Sequence, residues 1–428
     1  MREMKDSGVE WIGEIPKDWE IVPTKRFFRN AKRVVGNQVD NYERLALTMN
    51  GVIKRSKEDS EGLQPKKFEG YQILLENELV FKLIDLENIK TSRVGVSSYT
   101  GLVSPAYIVL TNESEDNRFY YYWFMFLYYY EIFNHLGGNG VRSALNAKDL
   151  LVIPIVSIPT HTQYCIANYL DKKCTQIDAI ITEQQKIIEK LKAYKQSIIT
   201  ETVTKGLTPD VELKDSGIEF IGNIPSHWKI VRLKFLLTHL VDCPHETPIY
   251  SINGKYLVIR TADQDLACLR TDDDMFRLSE NEYENRIRRM SLDKDDIVYG
   301  REGGRWGLAC LVPESNKYCL GQRMLQFRCD REVFNPQFAV YALSSSTVYL
   351  QGSFDTMGSA SPHVNISTVQ NYAIPMPPIQ EQEYIAKNLQ IKCKNIDFEI
   401  ERRQRFIDKI IEYKKALIYE VVTGKKNI

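Results

Sequence analysis

The chain has 428 residues, 43% of them apolar and 26% charged, which suits two or three globular domains and excludes a disordered or low-complexity protein. Lysine plus arginine (56) equals aspartate plus glutamate (56), so no overall electrostatic field draws the chain to nucleic acid or to an anionic membrane. The eight cysteines contain no CxxC pair and predict free thiols, and Cys243 with His245 lacks the second ligand pair of a zinc site, so we expect no metal.

The N-terminal segment, MREMKDSGVEWIG, has no apolar core of signal-peptide length. The longest apolar run, residues 119–130, is too short to span a bilayer. We therefore expect a cytoplasmic protein.

The opening segment also begins an internal repeat. Residues 6–25, DSGVEWIGEIPKDWEIVPTK, recur as residues 215–234, DSGIEFIGNIPSHWKIVRLK, with 12 of 20 positions identical. Residues 159–205 recur as residues 378–424, with 19 of 47 identical. The chain is therefore a tandem duplication whose ends match and whose interiors have diverged, which indicates one scaffold that carries two different binding surfaces.

The two interiors, residues 26–150 and 235–370, contain short β-branched and aromatic runs separated by Gly, Asn, Asp and Ser, and they predict mixed α/β domains. The aromatic stretch 119–133 predicts a buried helix, because its counterpart 338–350 is far less aromatic. Stacking of nucleic-acid bases on this stretch is the alternative.

A heptad pattern follows each interior, from about Thr162 to Thr204 and again after Pro378, and predicts a helix of about 60 Å. The two helices are expected to pack on each other, and the heptads allow parallel or antiparallel pairing. Antiparallel pairing is favoured because duplicated units commonly associate about a twofold axis, with polar Gln184 and Arg403 setting the register. A pair of ordinary core helices is the alternative. One seam position is expected to hold Ile177, Leu191, Ile198, Ile396, Ile410 and Leu417, and the other Ile180, Ile187, Tyr194, Phe406 and Tyr413.

Catalytic motifs are conspicuous by their absence. The segment 335–338, NPQF, departs from a methyltransferase motif, and Asn335 is better interpreted as a helix N-cap. The carboxylates and lysine of residues 209–214 are contiguous, whereas a nuclease draws them from separate strands. No GxxxxGK[ST] loop for ATP occurs.

Arginines near a glycine-rich loop, GREGGRWG at 300–307, are the strongest candidates for binding chemistry. On a mobile glycine backbone, Arg side chains suit bidentate contact with guanine, and freed amides suit phosphates. A solvated charged face is the plainer interpretation. The DNA-binding candidates are Arg286, Arg288, Arg289, Arg301, Arg305 and Arg323 in the second interior, and Lys90, Arg93 and Arg142 in the first.

Taken together, the chain resembles the specificity subunits of type I restriction-modification systems over essentially its whole length. The resemblance rests on the DSGxExIGxIPxxW segment that opens each repeat, the Ile-Pro stretch that closes each interior (residues 153–163 and 374–382), and the long helix that follows. The first copy departs from the pattern at Thr162, where the second copy has Glu381, and we expect one weakened contact at that helix start.

The resemblance implies a mixed α/β chain with four parts: target-recognition domain 1 (residues 1–158), a long helix (159–205), target-recognition domain 2 (206–377) and a second long helix (378–428). It implies that each recognition domain binds one half of a bipartite double-stranded DNA site, at a separation the helices keep fixed. The chain itself would be non-catalytic and without cofactor. S-adenosylmethionine would belong to two modification (methyltransferase) subunits, and ATP and Mg to two restriction (translocase and endonuclease) subunits.

Two other classes of protein stay open at this point. One is a self-contained methyltransferase, against which the missing motifs argue. The other is a coiled-coil scaffold or regulatory protein that binds proteins rather than DNA.

Overall fold

The computed structural model describes residues 2–58, 67–86, 93–136, 144–270, 275–356 and 362–428. It divides into two compact units. Unit 1 contains residues 1–184 and 405–428, and unit 2 contains residues 185–404. Each unit therefore combines one interior with parts of both long helices.

Unit 1 opens with short strands around a β-rich interior. Its strands are β1 (Met4–Asp6), β2 (Glu14–Pro16), β3 (Glu20–Pro23), β4 (Arg29–Asn30), β5 (Arg44–Thr48), β6 (Gly51–Arg55), β7 (Gln72–Leu74), β8 (Leu79–Phe81), β9 (Val94–Val96), β10 (Gly101–Val103), β11 (Ile108–Thr111) and β12 (Pro154–Ser157). Its helices are α1 (Asn117–Tyr129), α2 (Ile132–Leu136), α3 (Ala147–Val152) and the first part of α4 (Thr160–Lys205).

The interior of unit 1 has two four-stranded sheets, in the orders β6-β5-β10-β7 and β4-β11-β8-β9. Helix α1 covers the second sheet with a buried aromatic face that includes Phe119, Trp123 and Phe124. The predicted buried helix is therefore present. Because these rings belong to the core, stacking of bases on them is not supported.

Unit 2 repeats this plan with different lengths. Its strands are β13 (Leu213–Asp215), β14 (Asn223–Pro225), β15 (Lys229–Arg232), β16 (Leu237–Asp242), β17 (Tyr256–Ile259), β18 (Gln264–Asp265), β19 (Cys268–Leu269), β20 (Arg277–Leu278), β21 (Ile297–Gly300), β22 (Ala309–Leu311), β23 (Tyr318–Leu320), β24 (Met324–Cys329) and β25 (Ala373–Met376). Its helices are α5 (Glu280–Arg286), α6 (Pro336–Leu343), α7 (Ser346–Thr356), α8 (Ile366–Gln370) and the first part of α9 (Ile379–Val422).

The two larger sheets of unit 2 have the orders β16-β24-β21-β22 and β20-β17-β23. The repeated ends keep even their strand register, since Glu20 pairs with Ser157 in unit 1 and Lys229 pairs with Met376, the matching positions, in unit 2. As expected, Asn335 caps α6 by accepting a hydrogen bond from the N–H of Phe338. The mixed α/β class with two β-rich domains is thus confirmed.

The start of each long helix is tied to its unit by a buried glutamine. In unit 1 the side chain of Gln163 accepts from the N–H of Asp116, the residue that caps α1. In unit 2 the matching Gln382 accepts from the N–H of Asn335, the residue that caps α6. Identical residues in the two copies therefore perform identical structural tasks.

One contact of this frame is present in a single copy, at the departure noted in the sequence. In unit 2 the buried Trp228 donates its Nε1–H to Glu381, at 3.1 Å. In unit 1, where Thr162 replaces the glutamate, Nε1 of the buried Trp19 has no partner among the described residues. The expected weakening of one helix-start contact is therefore visible as an unsatisfied indole N–H.

The two long helices pack together inside each unit. Unit 1 contains residues 160–184 of α4 with residues 405–422 of α9, and unit 2 contains the later part of α4 with the earlier part of α9. The first half of one helix thus lies with the second half of the other, which is the arrangement of an antiparallel pair.

A matched ion pair joins the helices in each unit. Lys195 of α4 bonds to Asp397 of α9 in unit 2, at 2.8 Å. The equivalent residues in unit 1 exchange helices, and Lys414 of α9 bonds to Asp178 of α4 at 2.7 Å. Both lysines and both aspartates are identical between the copies, so the duplicated sequence specifies the same register twice.

Of the two predicted sets of seam residues, one lies at buried or half-buried positions. Ile177, Ile396 and Leu417 are buried, and Leu191, Ile198 and Ile410 are half-buried. The polar residues Gln184 and Arg403 in this row are half-buried as well.

The structure displaces the second set by one residue. Tyr194 is 57% exposed and Tyr413 is 55% exposed, whereas the following residues Lys195 and Lys414 turn inward to their aspartates. Each step along a helix rotates the side chain by about 100°, so apolar identity alone placed the seam on a flanking face. The remaining members of this flanking row are Ile180, Ile187 and Phe406.

Candidate nucleic-acid interface

Three of the candidate binding residues, Arg93, Arg301 and Arg305, lie in the segment that follows the strand β8 or β21. We call the segment 82–93, of which residues 82–86 and 93 are described, loop L1, and residues 301–308 loop L2. In L1 the carbonyl of Leu83 accepts from the N–H of Leu145, and in L2 the carbonyl of Arg301 accepts from the N–H of Val364. The two loops are thus anchored alike to the segment that precedes α3 or α8.

Loop L2 is held in place by its own backbone. Gly307 donates to the carbonyl of Gly300 at 2.7 Å, and Gly303 donates to the carbonyl of Pro362 at 2.9 Å. Gly303 and Gly307 have φ of 79° and 87°, a region that residues with a Cβ seldom adopt. The glycines therefore form a closed turn, in contrast to the mobile loop expected from their number.

Arg301 is the first residue of loop L2, and its side chain is almost fully buried beneath the rest of the loop. Its guanidinium donates to Nε2 of His363 at 3.0 Å and pairs with Glu302 and Asp242, at 3.1 and 3.4 Å. Because Nε2 accepts, His363 carries its proton on Nδ1, which lies 3.0 Å from the carboxylate of Glu302. In this structure the guanidinium of Arg301 supports the loop.

Arg286 is also buried, and its bonds brace the segment that follows β16. It donates to the carbonyls of Glu246 at 2.8 Å and Leu320 at 2.9 Å. Arg289 is exposed and donates to the carbonyl of Asp242 at 2.8 Å. These arginines therefore link β16, α5 and β23 on the same side of the unit as L2.

The other three candidate arginines of unit 2, Arg288, Arg305 and Arg323, are exposed at the surface. Arg288 bonds to the side chain of Asn285 at 2.6 Å. Arg305 donates to the carbonyl of Gln264. The guanidinium of Arg323 lies beside Gly303 of L2. Loop L2 and its surroundings thus bring together five members of the predicted second-interior set: Arg286, Arg289, Arg301, Arg305 and Arg323.

Acidic groups next to this cluster are already neutralised by arginine. The pKa of Asp265 is lowered: burial acts to raise it, but the Arg270 ion pair, the N–H of Leu266 and the nearby charge of Arg305 outweigh that effect.

Burial raises the pKa of the Cys243 thiol, which therefore stays protonated near neutral pH. Within the described ranges, no group of three or more His, Cys, Asp or Glu side chains is placed to hold a metal ion.

Of the three candidate binding residues in unit 1, Arg93 is the one among the described residues. Arg93 is 2% exposed and donates to the carbonyls of Ile84 and Asp85, at 2.6 and 2.5 Å, so it braces loop L1 as Arg301 braces L2. Lys90 and Arg142 lie outside the described residues.

Several supporting residues of this region could not be identified from the sequence. Asp242, Gln322 and His363 carry no motif, and they matter only because folding brings them to L2 from separate elements. By contrast, Asp178 and Asp397 had a detectable signal, since both are identical between the two copies.

The fold itself has been seen before. A chain in the solved structure described as the "structural basis underlying complex assembly and conformational transition of the type I R-M system" matches with a TM-score of 0.66, covering 96% of this chain and 99% of that chain at 12% identity. At that identity the likeness shows a shared fold.

The sequence comparisons concern the family. Residues 225–405 match the family model described as the type I restriction modification DNA specificity domain. The putative type I restriction enzyme MjaX specificity subunit of Methanocaldococcus jannaschii is 24% identical over 97% of this chain and 95% of its own length. Residues 225–405 thus match a type I DNA specificity domain, and the chain as a whole is similar to type I specificity subunits. The MjaVIII specificity subunit of the same organism is 27% identical, over 62% of this chain and 60% of its own length.

This similarity favours one of the classes of protein left open by the sequence. The specificity subunit gives a type I restriction-modification system its DNA specificity, and its family is non-catalytic and carries no catalytic cofactor. A self-contained methyltransferase and a scaffold that binds only proteins are therefore not favoured. In the described part of the chain, no helix has the length and apolarity needed to cross a membrane.

Proposed function

We propose that each unit recognises one half of a bipartite double-stranded DNA site through the interior that it does not share with the other. The observation that supports this division is that the frame of each unit is the same down to strand register, while loops L1 and L2 on that frame differ in length and sequence. A conserved frame with variable loops is the usual way in which one fold serves different ligands.

The arginines divide into two roles in this proposal. Arg93, Arg286 and Arg301 are buried and hydrogen-bonded to the protein, so they shape the two loops. Arg288, Arg289, Arg305 and Arg323 are exposed, so DNA can reach them, although the first three also donate to the protein. Phosphate contacts would supply most of the salt-dependent affinity, and contacts to base edges would supply the specificity.

We further propose that catalysis belongs to partner subunits in the cytoplasm. Two modification subunits would use S-adenosylmethionine to methylate adenine, and restriction subunits would use ATP and Mg. Support for two identical partners comes from a repeated surface: Ile187 and Tyr194 flank the helix pair of unit 2, and the equivalent Phe406 and Tyr413 flank that of unit 1. Tyr194, Phe406 and Tyr413 are exposed and Ile187 is half-buried. Apolar side chains in matched places at the surface suit two copies of one partner.

An exchange of interiors tests the division of labour. Residues 26–150 are replaced by the corresponding interior of another specificity subunit, and the methylated sequence is determined by methylation-sensitive sequencing of DNA from cells that also contain the modification subunits. We expect one half of the recognised sequence to change and the other half to persist. The reciprocal exchange of residues 235–370 is the matched control and should change only the other half.

The result that contradicts the proposal is equally specific. If either exchange changes both halves, or changes neither while methylation continues, the two interiors do not recognise separate half-sites.

A further inference from the structure

A tight turn beside loop L2 has a backbone that is anchored by hydrogen bonds. Its arginine side chain has no hydrogen-bond acceptor among the described residues. The turn consists of Gly321, Gln322 and Arg323, between β23 and β24. Gly321 donates to the carbonyl of Ile259 at 2.8 Å, and the carbonyl of Arg323 accepts from the N–H of Arg301 at 3.1 Å. The backbone on both sides of the Arg323 side chain is therefore fixed to the body of unit 2.

The side chain of Gln322 adds a third anchor. Its Nε2 donates to the carbonyl of His245 and to the hydroxyl of Thr247, both at 3.0 Å. These residues belong to the segment after β16 that Arg286 also braces. The turn is thus attached to three separate parts of the unit.

Arg323 adopts an unusual backbone conformation at this point. Its φ is 69°, in the left-handed region that a residue with a long side chain seldom occupies. Such conformations cost about 1–3 kcal/mol and are retained mainly at functional sites. They direct a side chain where an ordinary turn would not.

The guanidinium of Arg323 is directed over the glycines of loop L2. A Cβ built on Gly303 would lie 3.5 Å from Nη1 of Arg323, so this position leaves the guanidinium little spare room on that side. No described residue accepts a hydrogen bond from this guanidinium or forms an ion pair with it. The guanidiniums of Arg286, Arg289, Arg301 and Arg305 all donate to protein acceptors.

A permanently charged group with five N–H donors that the described protein does not use is suited to an external planar acceptor. We propose that Arg323 recognises a guanine in the half-site bound by unit 2, donating to O6 and N7 in the major groove. This inference rests on the proposed function, because it assumes that unit 2 binds DNA. It adds to that function the base that is recognised, a guanine, and the residue that recognises it, Arg323. It therefore predicts at least one G·C pair in that half-site.

The test compares Arg323→Asn with wild type in complex with the modification subunits. Asparagine is chosen because it tolerates the left-handed backbone conformation, so the turn should survive. Arg331→Asn removes an exposed arginine of the same unit that pairs with Asp295, away from L2, and serves as the charge-matched control. Thermal transitions of both variants equal to that of wild type would show that the fold is intact.

Binding is measured on duplexes in which each base pair of the half-site is replaced in turn. Wild type and the Arg331 variant should discriminate about 10- to 100-fold at one guanine, the range of a bidentate contact. Arg323→Asn should lose that discrimination while keeping it at every other position. A uniform loss of affinity with unchanged base preferences would instead identify a phosphate contact and overturn the inference, as would no change.

Failure of this inference is distinguishable from failure of the proposed function. If exchange of residues 235–370 changes the half-site but Arg323→Asn does not relax any position, unit 2 recognises DNA through other side chains. If the exchange also leaves the recognised sequence unchanged, the proposed function fails with it.

Discussion

Restoring the missing contact at the start of α4 should stabilise unit 1. The substitution is Thr162→Glu, which places an acceptor beside the unpartnered indole N–H of Trp19, in the position where Glu381 accepts from Trp228 at 3.1 Å. The buried tryptophans occupy matching places in the two units, so unit 2 shows the indole contact that the new side chain would make. Glu381 also contacts His227 at 2.9 Å, a contact that unit 1 lacks because Asp18 stands at the matching position.

The magnitude follows from three contributions. A hydrogen bond to a charged acceptor that satisfies a buried donor is worth about 1.5–3 kcal/mol. A carboxylate in the first turn of a helix adds about 0.3–1 kcal/mol, and ordering the glutamate side chain costs up to about 2 kcal/mol. The net gain is about 1–2 kcal/mol, which raises the melting temperature of a unit of about 200 residues by about 2–8 °C.

The assay is thermal unfolding followed by calorimetry. Trp19→Phe serves as the control, because it removes the N–H and should abolish the gain from Thr162→Glu in the double variant. The reciprocal change, Glu381→Thr, should destabilise unit 2. If Thr162→Glu stabilises the chain equally with Phe at position 19, the gain does not come from the indole hydrogen bond and the reasoning is refuted.

Two further predictions concern the long helices. Lys195→Met should lower the free energy of unfolding, measured in urea, by about 1 kcal/mol, because it removes the ion-pair partner of the half-exposed Asp397. Lys192→Met, at an exposed ion pair, should lower it by less than about 0.5 kcal/mol. Equal losses in the two variants would contradict the structural role of Lys195. Burial raises the pKa of the Cys174 thiol to about 11 from an ordinary value of 9.0. The unfolded chain therefore releases this proton first, and stability should fall as pH rises from about 9 to about 11. Cys174→Ser should reduce that fall, and exposed Cys165→Ser should leave it unchanged.

The matching ends of the chain illustrate what one sequence can reveal. Self-comparison located the opening segments and the long helices, and the departure at Thr162 predicted a weakened contact that the structure locates at Trp19. The aromatic run of α1 and the N-cap Asn335 were equally predictable. These features depend on residues close together in sequence, or on positions that the two copies repeat.

The candidate interface was only partly predictable. Composition identified the arginines, but Arg288 and Arg301 look alike in sequence, although one is exposed and the other is buried against His363. The heptad seam shows the same limit, since Tyr194 is more apolar than Lys195 and yet lies outside the seam. The ion pair with Asp397, about two hundred residues away, decides which of the two turns inward.

For this protein, duplication, fold class, the long helices and the class of function were determined by the sequence alone, because local periodicity and repetition are written in the order of residues. The role of each arginine was decided only by the tertiary structure. A guanidinium donates to the protein or is left without a protein acceptor according to which carbonyls and carboxylates the fold brings within about 3 Å of it. Those acceptors come from strands and loops that are distant in sequence.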